Sequence, residues 1–213
     1  MTQFVTSTKE CILCISQKYK SDTFQELLKV ISSWHTILMI NRKSFVQDKY
    51  SKSKEWHEVS KHSDSLYRYL RKDAITKELD SVNQPGVSSH KIQEIILRKA
   101  SKLGFTNEKE GLFKKYSNSR LRPDFFLKVR KTGILIEVER GQTTQNNNDL
   151  KDFWKCHICD EAHYLFLFVP NLLIQNKTGR TGGTPFKTVN NHMSSFFEKE
   201  NYTNVRGLVV FGY

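Results

Sequence analysis

A chain of 213 residues with 38% hydrophobic and 12% aromatic content can bury one sizeable core, which excludes an intrinsically disordered chain. No apolar stretch approaches the ~20 residues of a membrane-spanning helix, and the short apolar run Cys11 to Ile15 beside Glu10 is no secretory signal, so a cytoplasmic protein is expected. Thirty-four Lys and Arg against 22 Asp and Glu leave a net charge of +12, which favours a polyanionic partner such as nucleic acid, although a solubilising surface charge gives the same total.

Residues 1–85 read as a helical extension. Phe24, Leu27, Leu28, Ile31, Trp34 and Leu38 follow helical spacing, and Leu66, Tyr69, Leu70 and Ile75 repeat it more weakly. Between them the charged stretch Arg42 to Lys61 reads as a loop or an exposed helix. Pro85-Gly86 within Gln84 to Ser89 marks the expected boundary with a second part, residues 86–213. Charge is uneven across that boundary: residues 86–145 hold 13 basic and 6 acidic side chains, residues 1–85 hold 14 and 10, and residues 146–213 hold 7 and 6.

The second part alternates helix and strand. Ser88 or Ser89 can cap a helix carrying Ile92, Ile95, Ile96, Ala100 and Leu103, ended by Gly104. Leu121 to Val129 reads as a strand, Arg130 to Gly133 as a turn, and Ile134 to Glu139 as the returning strand. A helix over Asn146 to Cys159 is expected to turn Leu150, Phe153, Trp154 and Ile158 inward. Tyr164 to Val169 is continuously apolar and closed by Pro170, the pattern of a strand covered on both faces. A Gly-rich loop (Gly179 to Pro185), a helix over Phe186 to Glu200 and a strand over Arg206 to Phe211 complete an α/β fold with a sheet between helices.

The cysteines fall as Cys11/Cys14 and Cys156/Cys159. Two CxxC pairs can form a four-thiolate zinc site, but both lie in apolar, helix-compatible surroundings without the glycines of a zinc knuckle. Buried packing is the expectation for them, as it is for His157.

Chemistry concentrates on the returning strand. Alternation sends Ile134, Ile136 and Val138 to one face and Leu135, Glu137 and Glu139 to the other. Two carboxylates on a strand between apolar segments are costly unless a cation or a proton offsets their repulsion. If the hairpin pivots on Lys131-Thr132, Asp124 lies opposite Glu139; a pivot one residue later puts it opposite position 141. Either way three carboxyls converge, a set of hard oxygen donors suited to Mg2+ or Mn2+.

Arg122-Pro-Asp-Phe-Phe126 followed by Glu137-Val-Glu139 resembles the PD-(D/E)xK signature of the restriction-endonuclease-like nucleases, and the element order over residues 88–213 resembles that core. The resemblance implies a mixed β-sheet flanked by helices, with Asp124 and Glu137 as metal ligands and Glu94 as a further acidic contributor from the preceding helix. It also implies a catalytic set of Asp124, Glu137 and Glu139, with Glu139 standing where the family usually has Lys. A displaced lysine could come from Lys151 or Lys155 on the following helix, whereas alternation sends Arg140 to the opposite face. Arg122, Gln142, Lys151 and Lys155 are the candidate nucleic-acid contacts. The implied activity is Mg2+-dependent endonucleolytic cleavage of double-stranded DNA, restriction-type or a related defence nuclease, with a homodimer supplying two sites. The alternative is a catalytically inactive nuclease-fold protein that binds nucleic acid.

Overall fold

The computed structural model describes residues 39–84, 87–107, 111–116, 121–140, 147–174 and 181–213. The helix expected around Phe24 to Leu38, the pair Cys11/Cys14 and Gln142 lie outside those residues. Chain order is β1 (Asn41–Val46), α1 (Lys54–Leu70), α2 (Asp73–Val82), α3 (Ser89–Ala100), β2 (Thr106–Asn107), β3 (Phe125–Val129) and β4 (Thr132–Val138). There follow α4 (Asn148–Ile158), β5 (Tyr164–Val169), β6 (Leu173–Ile174), β7 (Thr181–Gly183), α5 (Pro185–Ser194) and β8 (Gly207–Gly212).

Six strands form one mixed sheet in the order β1-β8-β5-β4-β3-β2, and β6 and β7 pair separately. The β4–β5 and β5–β8 pairings are parallel, while β3–β4 and β1–β8 are antiparallel. The crossovers through α4 and α5 advance in the same direction along the sheet. With both right-handed, the two helices must lie on one face.

Side-chain alternation divides the interior into two cores. Ile134, Ile136, Val138, Tyr164, Phe166, Phe168, Val209 and Phe211 join Leu66 and Leu70 of α1 and the apolar stripe of α3. On the opposite face Leu135, Leu165, Leu167, Leu208 and Val210 pack with Phe153 and Cys156 of α4 and Val189 and Met193 of α5. Every residue of β5 is fully buried, as its unbroken apolar run requires. Cys159 joins Cys156 in this second core, and both thiols are free. His157 Nδ1 lies 3.2 Å from Thr203 Oγ1.

Differences from the sequence reading have local causes. The stretch read as loop or exposed helix begins at Arg42, yet Asn41–Val46 is an edge strand paired with β8, with Lys43 and Ser44 exposed. Its polar residues fit an edge that must resist pairing with another chain. Because β1 belongs to the sheet and α1 and α2 supply Val59, Leu66, Leu70 and Leu79 to the first core, residues 39–84 are continuous with the fold beyond position 86. In α3, Ser88 is the cap and Ile92, Ile95, Ile96 and Ala100 are buried as expected, while a 3-10 turn over Ser101–Leu103 precedes left-handed Gly104 at φ 91°. The helix expected to reach Glu200 ends at Ser194 and continues as a 3-10 turn over Ser195–Phe197.

Candidate active site

The β3–β4 turn sets the site's register. Val129 pairs with Thr132, so the turn centres on Arg130-Lys131, one residue earlier than the pivot expected. Arg130 adopts φ 53°, which lets the two-residue turn close with its strands in twist. The register places Phe125 opposite Ile136, and continuing it puts Asp124 opposite Glu137, not Glu139. Asp124 is fixed there by three bonds. Its N–H donates to the Ile136 carbonyl at 3.1 Å. Its Oδ2 accepts from the Val138 N–H at 2.8 Å, and its Oδ1 accepts from Gln93 Nε2 at 2.9 Å.

Asp124, Glu137 and Glu139 line an open cleft of about 380 Å3 with Ser89, Gln93, Arg122, Arg140, Asn148 and Lys155. The cleft lies at the carboxyl end of β4, outside the parallel strand ends, where ligands of open α/β sheets bind. Glu137 is 4% exposed and faces α4. Its Oε1 meets Lys155 Nζ at 2.9 Å, and the same ammonium meets Asp152 Oδ1 at 2.9 Å.

Asp152 is the member that hydrophobic spacing missed. The buried side chains of α4 are Asp149, Asp152, Phe153 and Cys156, whereas Trp154, expected inside, is 61% exposed. Leu150 and Ile158 are partly buried against the second core. The helix is thus rotated so that a polar stripe meets the carboxylates of β4. The spacing of Asp152 and Lys155, one turn apart on the helix that follows the acidic strand, is the signal that could have found it.

Four carboxyls now share one ammonium, and the electrostatics follow. Burial raises the pKa of Glu137 well above the usual carboxylate range, and the charge of Asp152 adds to the rise. Glu139 is pushed up to about 8 by burial first and then by the neighbouring Asp152 carboxylate. Burial likewise raises Asp124 and Asp152, opposed respectively by the Val138 N–H and by Lys155. Burial alone would lower the Lys155 pKa, but Glu137 and Asp152 outweigh it and hold the ammonium charged. These carboxyls cannot all be ionised at neutral pH without more positive charge.

The donor atoms are of the type a hard divalent cation takes. Asp124, Glu137 and Glu139 offer oxygens only and border solvent in the cleft. Among the described residues no three His, Cys, Asp or Glu side chains form a ready-made coordination group.

Other expected residues fall as follows. Glu94 is 62% exposed, pairs with His90 at 3.6 Å and lies outside the cleft lining; its neighbour Gln93 takes the place on α3 that touches Asp124. Helical geometry explains the exchange, since adjacent positions differ by about 100° around the axis. Arg122 borders the cleft, and Lys155 Nζ also approaches its carbonyl at 3.5 Å. Lys151 is exposed and bonded to Asn148 Oδ1 at 3.2 Å, so of the two lysines only Lys155 reaches the acids. Lys155 is engaged by both Glu137 and Asp152. Arg140 lines the cleft too and donates to the Gln84 carbonyl.

Comparison with protein-family models and with curated proteins finds no match for this chain.

Proposed function

We propose that the chain is a Mg2+-dependent endonuclease of restriction-endonuclease-like type that hydrolyses phosphodiester bonds in double-stranded DNA. One observation carries the reading: Lys155, from the helix after the acidic strand, contacts Glu137 across from Asp124 in an open cleft. It supplies from α4 the cation that the Glu139 position lacks. In this reading Asp124 and Glu137 hold Mg2+, or Mn2+ in its place, with Glu139 bordering them.

A bound divalent ion would lower the pKa of an attacking water and offset charge on the phosphate in the transition state. The chain's own residues do the rest. Gln93 and the Val138 N–H orient Asp124, leaving its carboxylate little rotational freedom. Lys155, held charged by Glu137 and Asp152, directs a positive charge into the cleft, where it can orient the water or an oxygen of the scissile phosphate. Glu139, in its ionised form, is the group in the cleft that can take up the water's proton. Arg122 and Arg140 at the rim add positive charge for the flanking backbone. A restriction or related defence role belongs to the same proposal, and a homodimer would supply a second site for the second strand.

The test is cleavage of plasmid and linear duplex DNA in Mg2+ or Mn2+ by the natural protein, Asp124→Asn and Glu137→Gln. The natural protein should cut, and both variants should lose cutting by orders of magnitude while still binding DNA in Ca2+. Cleavage that survives Asp124→Asn would overturn the assignment. The second reading, a nucleic-acid-binding protein without activity, is favoured by the double engagement of Lys155, which already balances part of the acidic charge. Absence of cleavage in either metal, with DNA binding intact, would select it.

A further inference from the structure

At the end of the sheet away from the cleft, a second groove has the opposite chemistry. It encloses about 730 Å3 and is lined by the first half of α1 and by the β3–β4 turn. Lys52, Lys54 and Lys61 border it with Arg130 from the turn, against a single acid, Glu58. Ser51, Ser53 and Ser60 add hydroxyl groups. Lys54 and Lys61 are exposed two turns apart on α1, so their ammonium groups project from the same side of the helix. Arg130 donates through Nε to Glu58 at 2.8 Å, a bond that orients the guanidinium fork along the groove.

The floor is rigid. Trp56 stacks on Tyr164 at 6.0 Å between ring centroids, and a Cβ at Gly207 would come within 2.7 Å of the same indole. The Ser53 side chain accepts from the Trp56 N–H at 3.0 Å and caps α1. The start of α1 is thereby held against β5 and β8, and Arg130 of the turn is tied to it through Glu58.

We infer that this groove binds the phosphodiester backbone of nucleic acid, at a segment distinct from the one that reaches the cleft. Four cations to one anion match a polyanion. Their spacing along a helix lets more than one phosphate be met from the same side of α1. The seven residues of β4 separate groove from cleft by about 20 Å, farther than any one side chain reaches. Backbone held at both places must span the protein or come from two segments. The inference stands beside the catalytic reading and does not rest on it, since a groove can hold backbone whether or not the cleft hydrolyses it.

The test uses the full chain, with binding of a labelled 30-base-pair duplex measured in EDTA across a series of salt concentrations. Lys54→Glu/Lys61→Glu should weaken binding about tenfold or more and reduce the salt slope by about two, the value for two phosphate contacts at ~0.9 each. A control, Lys102→Glu/Lys199→Glu, makes the same change in net charge at exposed sites outside the groove. Equal affinity and slope for the two double variants would overturn the inference. So would loss of binding to anionic vesicles or an acidic protein by the groove variant with its DNA binding unchanged. Circular dichroism of both variants checks that each is folded, and Lys54→Gln/Lys61→Gln should give a smaller loss in the same direction. Because the readout is binding without metal, failure of cleavage leaves this result standing, and the reverse also holds.

Discussion

Replacing Lys155 with methionine keeps most of the aliphatic stem and deletes the one ammonium that, among the described residues, contacts the acidic cluster. That ammonium makes two contacts of 2.9 Å, to Glu137 and to Asp152, whose side chains are 5% and 4% exposed. Removing one partner of a buried pair typically costs about 3–5 kcal/mol, because the charge left behind is unsolvated. Here the abandoned groups can respond by taking up protons. Glu137, Glu139 and Asp152 already have raised pKa values from burial, and Glu139 stands at about 8. A carboxyl whose folded pKa exceeds its unfolded value contributes stability that is present below the unfolded value and is lost as pH rises through the folded one. The penalty for Lys155→Met should therefore grow toward about 3–5 kcal/mol as pH rises through and beyond about 8 in EDTA, because losing the ammonium raises these pKa values further, and should shrink toward a pH of about 5. Added Mg2+ should recover part of the loss at the higher pH, up to about 2.7 kcal/mol at a hundred times its dissociation constant. Urea denaturation at the two pH values, with and without Mg2+, measures all three terms. A loss of equal size at both pH values and unaffected by Mg2+ would refute the account, because the lysine would then matter as packing and not as charge.

Three further outcomes follow from the same geometry. Glu139→Ala should cut metal-dependent cleavage severely and Glu139→Lys should not exceed the natural protein, as single-turnover assays on duplex DNA would show; restored or increased cleavage by Glu139→Lys would mean that the natural site has decayed. Phe153→Ala should cost about 3–5 kcal/mol by urea denaturation while Trp154→Ala changes stability by less than about 0.5 kcal/mol, since the first is 3% and the second 61% exposed; equal losses would contradict the rotation of α4. Cys156→Ala should cost about 1–2 kcal/mol as a trimmed core side chain, and purified protein should carry no stoichiometric zinc by elemental analysis; one zinc per chain would replace packing with coordination.

Strand alternation alone assigned the faces of β4, because a period of two leaves no freedom once one face must be apolar. It put Glu137 and Glu139 on the side of Leu135, and the unbroken run over Tyr164 to Val169 marked the central strand. The apolar stripe and glycine stop of α3 were equally legible, since capping and helical spacing are local. Pairing partners are not local. The polar segment Asn41–Val46 is a strand only because β8 offers it an edge, and Asp124 meets Glu137 only because the turn closes on Arg130-Lys131. The orientation of α4 was also a tertiary decision. Hydrophobic spacing assumes that a helix's polar stripe faces water. Here that stripe carries Asp152 and Lys155 to a strand bearing acids, where ion pairing stabilises it, and Trp154 is left in solvent. The sequence by itself determined which residues could form an acidic site. The packing of α4 on the sheet decided that a lysine and a fourth carboxyl belong to it, because only the fold brings charges from two elements within 3 Å of each other.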